Sequence, residues 1–567
     1  MIFFKLRDQV ISMFEKFQAE VESLLDGSQK RFLEIPKDNQ GDLALPCFFF
    51  AKEQKKAPQE IAKELETALS KKLPPLVKEV KAVGSYVNFY INHDKFSSLV
   101  LNTIIKQKDE YGSGKKRKEK IMIESPGPNT NKPLHLGHVR NMVLGTSMAN
   151  IFEFLGYEVI KVDIINDRGI HICKSMLAYK KFGEGKKPRE KPDHFVGDFY
   201  VLFAKRLEGQ PGTEEELRNM LIDWEDGNKS VRELWKTMNN WALSGFKETY
   251  KRLGVRIDKA YYESDHYLDG KKIVMKGLKA KIFKKDEDGN IVIDLGDCNL
   301  GKYVVLRADG TSIYITQDLA LAVKRYKDYK MNKMIYVVGD EQKYHFRVLF
   351  KLLEILGYPF AKKCYHLAYG MVNLPEGKMK SREGTVVDAD DIMNEMHKIS
   401  EEKIKQHGSI PDEEIKKRAE KIGLAALKYF ILKFDPSKSM TYDPKASIDF
   451  EGDTGPYLQY TYARANSILK KSKKVRRVGK LTDAKETDLI KKLSQFSEIV
   501  EKSAAEYKPN LLASYLFDLA TQFNEFYHSV HVIGAEDEPQ KLTLVESVMQ
   551  VLENGLRLLG IDVLKEM

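Results

Sequence analysis

Cysteine is scarce in this chain. Only Cys47, Cys173, Cys298 and Cys364 occur in 567 residues, and no two of them form a CxxC pair. That spacing excludes a zinc knuckle and a disulfide framework. No apolar run reaches membrane-spanning length, and charges recur every few residues from the N-terminus, so neither a spanning helix nor a secretory leader is expected. A large charge imbalance is also missing: 93 Lys and Arg against 82 Asp and Glu leave +11. This suits a polyanionic partner without requiring one. With 42% hydrophobic and 31% charged residues, the composition is that of a soluble globular enzyme, and the length predicts three or four domains. Cytoplasmic residence is the default expectation.

What the chain does have is concentrated between Glu124 and Arg140. A short apolar run, Ile121-Met122-Ile123, reads as a buried strand. After it, Val139, Met142, Val143, Phe152 and Leu155 fall on one helical face, and Gly156 stands where a left-handed helix end is favoured. A second β-rich run follows from Val159 to Ile165. Strand, loop, helix and strand predict a βαβ unit of a parallel sheet, with the ligand beyond the strand ends at the helix N-terminus. In that turn, Gly137 permits close backbone approach. His135 and His138 can donate to phosphoryl oxygens, and Lys132 adds a point charge. Two other readings of the histidines stay open at this point: half of a metal site, or ordinary loop residues.

Pro133-Leu134-His135-Leu136-Gly137-His138 resembles the His-Ile-Gly-His signature of class I aminoacyl-tRNA synthetases. The longer string from Ser125-Pro126-Gly127-Pro128-Asn129 through Lys132 to Arg140-Asn141 resembles the arginyl branch. The resemblance extends over almost the whole chain. It implies an α/β protein with a Rossmann-like parallel-sheet catalytic domain. A small α+β domain precedes that core, and an all-α anticodon-binding bundle follows it. The expected boundaries are 1–110, 111–395 with an insertion at about 183–300, and 396–567.

Along the N-terminal module, residues 5 to 25 have helical periodicity, and Gly84 to Ile91 alternates as a strand does. In the family this module meets the tRNA elbow. Asn88 is therefore a candidate tRNA contact and the aromatics near it are candidates for base stacking, although Tyr86 and Phe89 also read as core. The basic run Lys115-Lys116-Arg117-Lys118 reads as a solvated linker. In the catalytic domain, Asn166-Asp167-Arg168-Gly169 resembles the family's Asn-Asp-x-Gly element. Tyr303–Arg307 and Ser312–Thr316, flanking Ala308-Asp309-Gly310, predict a hairpin. Asp318 reads either as the N-cap of the next helix or as a substrate carboxylate. The spacing Tyr314-x-x-x-Asp318 matches the family's arginine-binding pair, and Gln342 matches a position that contacts the amino acid or adenylate. The resemblance thus implies arginine binding by Glu124, Ser125, Asn129, His138, Tyr314, Asp318 and Gln342. A guanidinium carries five donors in a planar fork, and two carboxylates around it would satisfy that fork.

The last catalytic element is Gly370-Met371-Val372 followed by Gly377-Lys378-Met379-Lys380-Ser381-Arg382. It resembles the Lys-Met-Ser-Lys-Ser loop, with Ser381 where the second lysine stands in the general signature. Lys132 occupies the place of a substitute lysine found in such family members. ATP is implied at Asn129, Pro133, His135, Gly137, His138, Gly370, Met371, Val372 and Lys378. The implied catalytic groups are His135, His138, Lys132, Lys378 and Lys380. Magnesium is expected on the phosphates, and no structural metal is expected.

In the C-terminal part, Gly452 to Arg464 resembles the start of the anticodon-binding domain. Tyr457, Tyr460 and Arg464 share one helical face, as either core or a stacking surface for tRNA. The implied partners are L-arginine, ATP and tRNA(Arg), with a monomer and no membrane. Three alternatives frame the reading: another class I synthetase, a small-molecule nucleotidylyltransferase, and a non-catalytic RNA-binding paralogue.

Overall fold

The computed structural model describes residues 13–36, 40–309, 313–373, 387–407 and 410–567. The N-terminal module is a three-stranded antiparallel sheet in the order β1-β3-β2, with β1 at Leu43–Pro46, β2 at Val77–Val83 and β3 at Tyr86–Ile91. Phe89 on the central strand faces Leu43 on one side and Val80 on the other. Helices Met13–Ser23, Pro58–Leu69 and His93–Gln107 accompany this sheet. The first buries Met13, Phe17 and Val21 at i, i+4 and i+8, the stripe expected of an amphipathic helix.

The catalytic core is a five-stranded parallel sheet in the order β11-β10-β4-β5-β6. Its strands are β4 (Lys120–Glu124), β5 (Glu158–Ile165), β6 (Lys259–Tyr262), β10 (Lys333–Gly339) and β11 (Cys364–Tyr369). The Leu136–Phe154 helix crosses from β4 to β5, and Gly156 turns the chain with φ +85°. From β4 the order proceeds one way to β5 and β6 and the other way to β10 and β11. The crevice beyond the ends of β4 and β10 is therefore the switch point where such sheets bind ligands.

A smaller antiparallel sheet, β7 (Lys284–Lys285), β8 (Ile291–Asp294) and β9 (Lys302–Leu306), flanks this core. Here the structure corrects the hairpin expectation. The first arm is β9, but Tyr314–Tyr329 is a helix rather than a returning strand. Ile315, Leu319 and Ala322 recur at helical spacing and are buried, and Thr316 Oγ1 donates to Val305 O at 2.6 Å. The short Ser-Ile-Tyr-Ile-Thr alternation mimicked a strand, and the longer helical period prevails. Asp318 consequently lies in the second turn and is not an N-cap. Residues 310–312 fall outside the described residues.

Seven helices between Ala389 and Leu558, each longer than two turns, build the C-terminal bundle around Leu458, Leu489, Leu516, Phe523, Val548 and Leu552. Tyr111 OH donates to Leu493 O at 2.9 Å, and Asn554 Nδ2 donates to Lys108 O at 3.0 Å, so the bundle also holds the end of the N-terminal module. The linker is not wholly solvated: Arg117 donates to Leu155 O and Tyr157 OH and lies over the Tyr157 ring.

Arg140, on the Leu136–Phe154 helix, is fully buried. Its guanidinium donates to the carbonyls of Gly370 (2.7 Å), Met371 (3.3 Å), Pro436 (3.1 Å) and Lys438 (2.8 Å). Replacing it by methionine strands these acceptors, which costs about 3 kcal/mol or more. Arg140→Met should therefore lower the melting temperature by several degrees. An unchanged melting curve would refute the staple.

Candidate active site

The loop after β4 is fixed from the neighbouring strand. Gly127 N donates to Asp163 Oδ1 at 2.9 Å, Tyr250 OH donates to Asp163 Oδ2 at 2.8 Å, and Asn166 Nδ2 donates to Gly127 O at 3.2 Å. Asp167 accepts from Ser264 N and Oγ. The Asn166-Asp167 element is thus a brace for the loop. Asn129 is exposed beside Asn166, at the rim of the crevice.

His135 caps the helix. Its Nδ1 accepts the Gly137 N–H at 3.1 Å, and the Nδ1 of His138 accepts the His135 N–H at 3.1 Å. Each imidazole therefore carries its proton on Nε2, so each has a neutral N–H donor left to offer. The rings stand 3.9 Å apart. A Cβ at Gly137 would come within 2.9 Å of His135 Cε1, so glycine is needed there for the ring to fold back. Burial pushes His135 down to about 4, with Lys132 adding to the effect, and pushes His138 well below its ordinary value. Burial also lowers the Lys132 ammonium. Lys378 and Lys380 lie outside the described residues.

Two expected ligands are committed elsewhere. Ser125 Oγ donates to Asn141 Oδ1 at 2.6 Å, so this hydroxyl ties the loop to the helix. Glu124 is buried and ion-paired with Arg325, whose side chain is 1% exposed. The chain's own guanidinium thus takes the carboxylate that the sequence assigned to a substrate guanidinium. Arg325 was missed, although its spacing from Leu321 and Ala322 puts it on the apolar face of its helix.

Among the described residues, two further carboxylates that act on one another here are Asp318 and Glu263. Asp318 Oδ2 lies 2.6 Å from His345 Nε2. Glu263, just after β6, is pushed up to about 7 by burial; Arg168 opposes the rise, while Asp167 and Asp318 add to it, and Gln317 is within hydrogen-bonding reach. Sequence reading gave Glu263 no role, since a lone Glu after a short strand carries no signature. Tyr314 is 73% exposed at the start of the same helix as Asp318, and Gln342 is exposed in a single-turn helix beyond β10.

The Gly370–Val372 stretch is tightly held. Gly370 N donates to Pro436 O at 2.9 Å, Met371 N donates to Ser439 Oγ at 3.1 Å, and Val372 pairs with Met440 between β12 (Val372–Asn373) and β13 (Met440–Thr441). Met371 keeps its side chain 45% exposed.

On the other flank, Val387 O accepts from Leu136 N and Leu134 O accepts from Ala389 N, both at 3.0 Å, strapping residues 387–389 to the histidine turn. Asp193, His194 and Asp390 form a group with metal-ligand spacing. Lys191 Nζ already lies 2.9 Å from Asp193 and 2.7 Å from Asp390, so an ammonium supplies the cation there.

Far from the crevice, Tyr457, Tyr460 and Arg464 gather with two residues from the Pro509–Ser529 helix. Arg464 donates to Asn524 and to Tyr460 OH (3.0 Å), Asn524 donates to Tyr457 OH (2.9 Å), and the guanidinium lies 4.7 Å from the Tyr460 ring and 4.9 Å from the Tyr527 ring. Asn88 differs from its expectation: it is 2% exposed, because the central strand turns it inward. Among the described residues of that module, the exposed aromatics are Phe48, Phe49 and Tyr86.

The unfolded chain takes up protons on its histidines near pH 6.5, whereas folded His135 resists until about 4. Protonation in this interval therefore favours unfolding, and stability should fall as pH drops from about 6.5 towards 4. Both imidazoles should show no NMR titration between pH 8 and 5.5; a midpoint near 6.5 would contradict their burial.

Three family models match the chain: "Arginyl tRNA synthetase N terminal domain" over residues 8–91, "tRNA synthetases class I (R), catalytic domain" over 100–442, and "DALR anticodon binding domain" over 458–567. The arginine–tRNA ligase of Treponema denticola is 46% identical over 561 residues, covering 94% of each chain. That of Parabacteroides distasonis is 45% identical, covering 95% of this chain and 96% of its own. The solved arginyl-tRNA synthetase of Thermus thermophilus superposes with a TM-score of 0.78 at 27% identity, covering 97% of this chain and all of that one. With this crevice and these relatives, the chain belongs to the arginyl-tRNA synthetases, the class I enzymes that activate arginine with ATP and ligate it to tRNA.

Proposed function

We propose that arginine is activated in the crevice beyond β4 and β10, with its guanidinium between Asp318 and Glu263 and its carboxylate facing the histidine turn. The observation that carries this reading is the sorting of the acids. Glu124 is neutralised by Arg325, while burial holds Glu263 up at about 7 and the nearby Asp318 adds a smaller push. A planar guanidinium placed there meets two acceptors, with Tyr314 and Gln342 at the rim. A lysine ammonium would leave acceptors unpaired, so the site discriminates through its own desolvation.

ATP rests on the helix N-terminus. The helix end and the Nε2–H groups of His135 and His138 face the phosphates, and Lys132 contributes charge. Neutral imidazoles donate without adding a proton that must later be removed. The arginine carboxylate attacks the α-phosphorus in line, and pyrophosphate departs. The terminal ribose hydroxyl of tRNA(Arg) then attacks the adenylate carbonyl and releases AMP. Positioning and charge stabilisation provide the rate, and no protein nucleophile is required. Two imidazoles and an ammonium suit phosphoryl oxygens rather than a divalent ion, so magnesium arrives on the triphosphate as part of the substrate.

We assign residues 1–110 to a tRNA-contacting module, 111–395 to catalysis and 396–567 to anticodon binding. Tyr457, Tyr460 and Arg464 stand on the last, on a face where a stacked base would also meet a guanidinium. Lys378 and Lys380 keep their proposed place beside the phosphates. The enzyme works as a cytoplasmic monomer; among the described residues, no helix is long and apolar enough to cross a membrane.

Asp318→Ala should reduce arginine-dependent pyrophosphate exchange by about 100-fold or more, equivalent to roughly 3 kcal/mol, while tRNA affinity stays within twofold. Equal loss of both would remove Asp318 from the pocket. A bound guanidinium favours ionised Glu263, so arginine should bind more tightly as pH rises from 6 to 8. Calorimetry at pH 7 in buffers of different ionisation enthalpy should detect release of about half a proton per arginine. Glu263→Gln should abolish that release, and release that persists in the variant would exclude Glu263.

A further inference from the structure

At the end of the sheet opposite the active site lies a cleft of about 1410 Å³, bounded by the end of the Leu136–Phe154 helix, the start of β5 and the last turns of the bundle. Lys116, Lys251 and Arg256 line it, as does Lys428 from the Asp412–Leu432 helix. Lys428 differs from the surface lysines. Its Nζ donates to Gly560 O at 2.6 Å, a neutral acceptor. The nearest acids that act on it, Asp562 and Glu420, are paired instead with Lys421 (3.6 Å) and Arg252 (2.8 Å). Among the described residues no carboxylate makes an ion pair with Lys428, and burial outweighs the pull of Asp562 and Glu420.

We propose that Lys428 is a nucleophilic lysine that small anionic acyl donors of the acyl phosphate class modify, drawn into the cleft by Lys116, Lys251 and Arg256. The neutral amine attacks the acyl carbonyl and a C–N bond forms. The C–O bond to phosphate breaks, phosphate leaves with the electron pair, and the proton from nitrogen passes to water. The hydrogen bond to Gly560 fixes one N–H and leaves the lone pair available for attack. Burial brings the ammonium down to about 8, so near neutral pH a substantial fraction is free amine, against about one part in a thousand for an exposed lysine. The product amide retains one N–H for Gly560 and loses the positive charge, altering the electrostatics of a junction between the catalytic core and the bundle.

The test treats the full-length protein with acetyl phosphate at pH 7.5 and follows each lysine by peptide mass spectrometry. Lys428 should acetylate at least tenfold faster than the median lysine, with a rate that rises through a midpoint near pH 8. A rate at or below the median overturns the proposal. A second arm compares Lys116→Gln/Lys251→Gln/Arg256→Gln with the parent, using acetyl phosphate and the neutral reagent N-hydroxysuccinimidyl acetate. Slower reaction with acetyl phosphate alone supports recruitment of the anion. Equal slowing with both reagents, or none with either, refutes the stated donor class.

Discussion

The crevice depends on a guanidinium that no substrate touches. Arg140 is enclosed by the protein, and its two terminal nitrogens donate to carbonyl oxygens just after β11 and in the 436–438 loop. A buried cation with several donors must collect acceptors wherever they can be brought, and here they come from segments 230 to 298 residues away in sequence. The consequence is geometric. The helix whose N-terminus carries His135 and His138 is fixed relative to Gly370–Val372, so the phosphate end and the expected nucleotide edge of the crevice share one frame.

A second internal guanidinium shapes the amino-acid end. Arg325 removes Glu124 from the set of available carboxylates and thereby decides which acids can meet a ligand. Asp318 and Glu263 remain, and burial raises the carboxyl of the second. Burial is the main reason that the Glu263 carboxyl is raised to about 7, with Asp167 and Asp318 adding to it. On the proposed reading, an entering guanidinium would favour the ionised form of Glu263, so that binding and a change of protonation would be coupled.

The flanking parts extend the same logic. The insertion packs onto the histidine turn directly: a Cβ at Gly197 would fall 2.5 Å from Pro133 Cδ, and Lys191 bridges Asp193 to Asp390 just past the strap at 387–389. Shifts in those helices therefore bear on the turn. The Arg464 cluster lies on a distant helix pair where aromatic faces and a guanidinium are held together by Asn524. The Lys428 cleft occupies the remaining junction, between the rear of the sheet and the bundle.

Much of this was readable from local pattern. Strand β4, the helix after it and the glycines at 137 and 156 obey rules of periodicity and backbone freedom that act over a few residues. The histidine turn was legible for the same reason, and so was the family. The returning strand at 312–316 failed because five residues of alternation cannot outweigh a longer helical period beginning inside them. Asn88 failed because a polar residue on a strand shows no sign of which face the sheet will bury. Sequence thus determined which elements form and what chemistry the central turn can perform. The pairing of Arg325 with Glu124, the burial of Glu263 and the neutral acceptor beside Lys428 were decided only by tertiary structure. Charges find partners by distance in space, and burial sets the strength of those encounters; neither quantity is written in the spacing of residues along a chain.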